Sequence, residues 1–277
     1  MTYQQLMYNV GYCQAQGLQC GSIGRSVLGR DIPYIRIGKG SKSILIQAAI
    51  HAREYSTATI VLLQVRDLLN VDMQDYSMYY VPMSNPDGVE IVLNGLDSVP
   101  STYLKHKLKA VNPSGDWKMF KANANCVDLN TNFDARWGKG LGNIRYPDIA
   151  NYVGKFANDQ VETMALVDFA LKLSPVATMS YHSRGREIYW DFFAPYTNAQ
   201  RDLAIAESLA ACARYNVVSS QDVSAGGFKD WCIQYLKIPS FTIEFFDSDA
   251  KYPLTQDQIV QEHTRTRQLP IVLMDSL

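Results

Sequence analysis

The chain has 277 residues, 47% hydrophobic and 19% charged, with 26 basic side chains against 27 acidic ones and a formal net charge of -1. That composition is ordinary for a globular protein and supplies enough chain for one large core or two modest ones. Near-neutral balance without a basic tract argues against a nucleic-acid partner, and no window approaches the ~18 uninterrupted apolar residues of a membrane helix, so neither nucleic acid nor a membrane is expected.

The N-terminal "MTYQQLMYNVGYC" lacks a basic stretch followed by an apolar one, so no signal peptide is expected there. "PYIRIGKG" and "SILIQAAI" read as strands around a Gly-rich turn. "STATIVLLQVRDLLN" has the spacing of a helix, with Ser56 or Thr57 as a candidate cap. "YSMYYVPMSNPDGVE" reads as a strand running into a turn at Asn85, Pro86, Asp87 and Gly88. "ATMSYHS", "EIYWDFF" and "FTIEFF" read as strands, and "AQRDLAIAESLAACARY" as a helix. Strands alternating with helices predict an α/β fold with a buried sheet covered on both faces, whose ligands bind beyond the strand ends. The five cysteines, Cys13, Cys20, Cys126, Cys212 and Cys232, are scattered and contain no C-x-x-C. Buried reduced thiols are expected, with a Cys13–Cys20 bridge as the alternative.

Polar side chains at strand ends carry the chemistry. His51 follows "QAAI", His182 follows "MSY", and Glu54 lies three residues beyond His51. Two neutral imidazoles and a carboxylate suit zinc with one position left open. Glu244 sits inside the apolar "SFTIEFF", where an unpaired carboxylate is costly to bury, and is the candidate base. The spacing alone leaves the bland alternatives standing. H-x-x-E is a weak pattern, Glu244 can be an edge residue in a salt bridge, and Arg53 can pair with a nearby carboxylate. His106 and His263 read as solvated face residues.

Six stretches carry a resemblance: "HARE" (51–54), "VPMSNPDG" (81–88), "VDLNTNFDA" (127–135), "SYHSRG" (180–185), "GGFKDW" (226–231) and "SFTIE" (240–244). In this order and at these separations they resemble the zinc carboxypeptidase family. "WKMFKANANCVDLN" and "GGFKDWCIQYLKIPSFTIE" are most similar to its bacterial γ-D-glutamyl-diaminopimelate peptidase branch, which cuts the peptide stems of murein. The resemblance implies a single zinc peptidase catalytic domain over 1–277, with a mixed, mostly parallel twisted sheet flanked by helices. It also implies one Zn2+ on His51, Glu54 and His182, Glu244 as general base, Lys121 as oxyanion stabiliser, and Arg53 as a substrate-binding arginine.

Departures from the family shape the expected substrate. Where ordinary carboxypeptidases grip a terminal carboxylate with Asn-Arg, this chain has Asn130-Thr131, and threonine forms no bidentate charged pair. Arg136 or Arg184 can take over that grip. Lys229 falls at the floor of the side-chain pocket in family register, favouring an anionic side chain or the distal carboxylate of diaminopimelate; an exposed lysine is the alternative. Asp222 falls where a mobile tyrosine covers the substrate, and Cys126 where glycine is usual. Gly226 and Gly227 read as a tight loop anchored by Asp230. The expected function is zinc-dependent hydrolysis of γ-D-glutamyl-diaminopimelate bonds in peptidoglycan stem peptides. A metallocarboxypeptidase releasing C-terminal, acidic residues and a catalytically silent wall-fragment binder are the rivals. With no leader visible, the expected compartment is the cytoplasm or forespore, and export if a leader was trimmed. The oligomeric state is left open.

Overall fold

The structure is a computed structural model and describes residues 1–193, 196–220 and 223–277. In chain order the elements are α1 (Tyr3–Ala15), β1 (Gln19–Arg25), β2 (Asp31–Gly38), β3 (Lys42–Ala48), α2 (Ser56–Asp67), β4 (Tyr76–Val81), α3 (Pro86–Asn94), α4 (Thr102–Val111), α5 (Val161–Leu173), β5 (Ala177–Ser183), β6 (Glu187–Tyr189), α6 (Ala199–Ala213), β7 (Asn216–Val218), α7 (Phe228–Trp231), β8 (Ser240–Phe245), α8 (Gln256–Thr266) and α9 (Leu269–Asp275). The strands form one eight-stranded sheet in the order β1-β2-β4-β3-β5-β8-β6-β7. Its centre, β4-β3-β5-β8, is parallel, and the outer pairs β1/β2, β2/β4 and β6/β8 are antiparallel.

Strand parity divides the core. In β3, Ile44, Ile46 and Ala48 face the helices α1, α2, α6 and α9, meeting Leu6, Val10, Val61, Val65, Leu209 and Leu273. Leu45 faces the other way, toward Leu166 and Ala170 of α5 and Phe228 and Trp231 of α7. Both faces are covered, which is why the central strands read as continuous apolar runs. A third cluster, including Ile91, Leu104, Leu108, Trp117, Phe120 and Cys126, holds α3 and α4 against the segment that follows them.

Several local expectations need correction. Asn85–Gly88 is the start of α3, not a free turn: the Asn85 side chain accepts from the Gly88 N–H at 3.0 Å, and Pro86 occupies the first turn, where its missing N–H costs nothing. Neither Ser56 nor Thr57 caps α2, whose N-cap is Tyr55. Of "EIYWDFF" only Glu187–Tyr189 is strand, because Asp191 turns its carboxylate onto the Ser220 N–H at 2.6 Å. His263 is buried with its Nε2 3.1 Å from an Asp67 carboxylate oxygen, so it is no solvated face residue; His106 is exposed as expected. The cysteines are free: Cys126 and Cys232 are buried, the other three half-buried. Cys126 adopts φ +57°, a left-handed backbone, which explains why glycine suits that position. No helix among the described residues is long and apolar enough to cross a membrane.

Candidate active site

The carboxyl ends of β3, β5 and β8 converge on one point. His182 in β5 sits directly opposite Glu244 in β8. His51 follows β3, and Glu54 lies in a short 3-10 turn, Ala52–Glu54. Thr57 locks this junction: its hydroxyl accepts from the Ala49 N–H at 3.0 Å and donates to the Glu54 carbonyl at 2.7 Å, clamping the chain on either side of His51.

The donor atoms crowd together. His51 Nδ1 lies 2.9 Å from Glu54 Oε1, His182 Nδ1 3.0 Å from Glu54 Oε2, and the two Nδ1 atoms 3.1 Å apart. All three residues are buried, with one ligand atom from each within 4.8 Å of the others. His51 Nε2 is held by Asp128 Oδ1 at 3.2 Å. With its proton on that side, the ring turns a lone pair at Nδ1 toward Glu54 and His182. Buried lone pairs aimed at one another from two imidazoles and a carboxylate are satisfied by a cation between them, and N, N and O donors of this kind are a zinc set. The residues therefore fit the ion. In the metal-free protein, burial opposes charging of His51, but Glu54 and Asp128 outweigh it and push its pKa up to about 9. Burial pulls His182 down.

Asp128 is the site residue that sequence reasoning missed. It stands in the quoted "VDLNTNFDA", and its signal was an acidic residue beside apolar neighbours in a loop. Its carboxylate accepts from the Asn130 and Asn151 N–H groups at 3.1 and 3.0 Å. Despite burial, His51, the Lys121 charge and the Asn151 N–H hold its pKa well below the usual carboxylate range.

Glu244 is half-buried, and its Oε2 is shielded from solvent with no hydrogen-bond partner. Burial, then the charge of Glu54, raises its pKa to about 8. The Lys121 charge acts on His51, Asp128, His182 and Glu244 alike. Glu244 opens onto a cavity of about 400 Å3 that is also lined by Asn130, Tyr189, Lys229, Asp230 and Thr242. Lys229 is thus buried at this cavity rather than exposed; it pairs with Asp230 at 2.7 Å and donates to the Asp191 carbonyl. Asp230 also accepts from the Gly227 N–H at 3.1 Å, anchoring the loop in which Gly226 has φ +85°.

Other expected substrate residues divide. Asn130 lines the cavity and accepts from the Phe228 N–H at 3.2 Å. Thr131 is turned inward: its hydroxyl donates to the Asp128 carbonyl at 2.9 Å, so it grips nothing in the cavity. Arg136 lies 3.5 Å over the Phe193 ring and lines a different cavity, of about 590 Å3. Arg53 and Arg184 both lie against the Tyr252 ring, at 5.4 and 5.6 Å. Asp222 lies outside the described residues.

Comparison with known proteins agrees with this geometry. The chain is 34% identical over 262 residues to Gamma-D-glutamyl-L-diamino acid endopeptidase 1 of Lysinibacillus sphaericus, covering 88% of this chain and 65% of that protein, so it spans just under two thirds of that relative's length. It is 30% identical over 179 residues to Murein peptide amidase A of Escherichia coli strain K12, covering 60% of this chain and 70% of that one. Bovine thrombin-activatable fibrinolysis inhibitor, solved with a tick carboxypeptidase inhibitor, superposes with a TM-score of 0.82 at 17% identity, covering 99% of this chain and 96% of that one, a likeness of fold. A family profile described as zinc carboxypeptidase matches residues 4–269, and the chain belongs to that family.

Proposed function

We propose that residues 1–277 form one catalytic domain, a zinc-dependent peptidase that hydrolyses γ-D-glutamyl–diamino acid bonds in peptidoglycan stem peptides. His51, Glu54 and His182 would hold the ion, with Asp128 fixing the His51 ring. The observation that carries the proposal is Glu244: a half-buried carboxylate with one solvent-shielded, unpartnered oxygen, on the strand position opposite a candidate zinc-donor histidine.

Zinc, when bound, acidifies water and polarises a carbonyl. The chain's own residues supply the rest. Glu244 takes a proton from the attacking water and passes it to the leaving nitrogen, the two-way role of a carboxylate set directly beside the ion-binding residues. Lys121 brings positive charge to the developing oxyanion. Asn130, Tyr189 and the Lys229–Asp230 pair line the cavity beside Glu244. A paired cation and anion there match a residue that itself carries an ammonium and a carboxylate, as the distal centre of a diamino acid does. The relatives named for γ-D-glutamyl-L-diamino acid and murein peptide cleavage support this substrate class.

The rival is a carboxypeptidase that releases a C-terminal acidic residue. The inward-turned Thr131 and the neutralised Lys229 both speak against it. Incubation with L-Ala-γ-D-Glu-diaminopimelate-D-Ala, followed by mass spectrometry, should show cleavage after the γ-glutamyl residue. Release of single C-terminal residues from ordinary peptides, with the stem peptide untouched, would overturn the proposal.

A further inference from the structure

Two guanidinium groups beside the zinc donors remain unused. Arg53 precedes Glu54, and Arg184 follows His182 by two positions. Both lie against one ring, that of Tyr252. The ring is fixed to the site, since the Tyr252 hydroxyl donates to the Ser183 carbonyl at 2.9 Å and meets the Ser183 hydroxyl at 2.8 Å. Arg53 Nε is buried without a hydrogen-bond partner, and the nearest carboxylate oxygen, on Glu54, is 4.0 Å away. Glu54 is already committed to His51 and His182. Among the described residues, no carboxylate lies within 4.0 Å of Arg184, whose guanidinium is set against the Tyr252 ring. None of these three residues lines the cavity that holds Glu244 and Lys229.

The site therefore has two differently charged sides. The Glu244 side holds a cation already neutralised by Asp230. The Tyr252 side holds two cations and a ring, and among the described residues the only carboxylate within 4.0 Å of either guanidinium is the committed Glu54. We propose that Arg53 and Arg184, braced on Tyr252, clamp the free α-carboxylate of a γ-linked glutamyl residue on the acyl side of the scissile bond. This rests on the γ-glutamyl specificity proposed above and says how it is achieved. In a γ-glutamyl amide the reacting carbonyl is the side-chain one, and the α-carboxylate stays ionised three carbons away. An α-linked residue without an acidic side chain offers no carboxylate at that distance, and an α-linked glutamyl residue offers one only with its amine moved next to the reacting carbonyl. Guanidinium groups are suited to carboxylates through paired N–H donors, and stacking on an aromatic ring holds them in place with their edges free. Arg184 is thus assigned as a specificity residue.

The test compares two substrates, L-Ala-γ-D-Glu-diaminopimelate and its analogue whose α-carboxylate is a carboxamide. The wild-type zinc protein should prefer the acid by roughly 10- to 100-fold in kcat/KM. Arg184→Ala should lose most of that preference by slowing the acid substrate alone, with zinc content unchanged, and Arg184→Lys should restore part of it. Equal wild-type rates on the two substrates would sink the clamp and leave the proposed activity standing. An equal loss on both substrates in Arg184→Ala would mark a structural role and also sink it. Cleavage of neither substrate by the wild type, with ordinary peptides trimmed instead, would overturn the proposed activity and the clamp with it.

Discussion

His182 and Glu244 stand on neighbouring central strands, while Lys121, Asp128 and Asn130 stand on the stretch 112–160, whose regular structure is one short 3-10 turn, Leu129–Thr131, and an isolated bridge. The two regions supply complementary parts of one site and are held by different forces. The strands are fixed by ladder hydrogen bonds and apolar burial on both faces. The loop is fixed by buried polar side chains: Asn123 donates to Gln160 and Glu162 at 2.9 and 3.0 Å, and Asn132 donates to the Val153 carbonyl and Asp159, each at 2.8 Å. Apolar burial tolerates small errors of position, whereas a buried polar group left unpaired costs its full desolvation. The strand half should therefore fail chemically when altered, and the loop half should fail structurally.

The largest effect belongs to the strand half. Glu244→Gln should lower kcat by about 10²- to 10⁴-fold while zinc content, measured by atomic absorption, stays at one ion. An active Gln variant would remove Glu244 from the chemistry. Next comes a pH effect in the loop's polar layer. Glu162 is buried, and burial raises its pKa from 4.5 to about 7. The folded state thus binds the proton more tightly than the unfolded chain. The corresponding stability is fully present below about 4.5 and is lost as pH rises through about 7, roughly 3 kcal/mol in all at ~1.36 kcal/mol per unit. Denaturant melts across that window should show the slope, and Glu162→Gln should flatten it; an unchanged slope would exclude Glu162 as its source.

A smaller effect sits where the halves meet. Asp128→Ala should weaken zinc binding by about 10- to 100-fold, the usual consequence of removing the partner that orients a metal-binding histidine, as read by competition with a chelator. Undiminished affinity would mean the His51 ring is oriented by something else. The smallest is Asn132→Ala, expected to cost about 1–2 kcal/mol and to open 112–160 to limited protease before the sheet unfolds. Loss of sheet and loop in a single step would show that the two regions are one cooperative unit.

This contrast also explains what the sequence disclosed. His51, His182 and Glu244 are polar interruptions at or near the ends of apolar runs, and such a break is visible one residue at a time. The covered sheet was also within reach, because alternating strands and helices imply helices on both of its faces, whereas the strand order was not. Asp128 was hidden because its meaning lies in one partner, His51, far away in the chain. Thr131 misled for a similar reason: its hydroxyl is taken up by the Asp128 carbonyl, a local turn contact that residue type does not reveal. His263 looked solvated among charged neighbours, yet α8 turns it inward onto Asp67. Cys126 is intelligible only once its left-handed backbone is known.

The pairing of β3 with β5 has one more consequence. The two imidazoles that meet at 3.1 Å are separated by 131 positions along the chain. No short fragment can assemble them, so an ion in that place acts as a cross-link that exists only after long-range closure of the sheet's middle. Occupancy and heat resistance are then thermodynamically linked: free zinc at 100 times its dissociation constant would raise unfolding free energy by about 2.7 kcal/mol, and a chelator would take the same amount away.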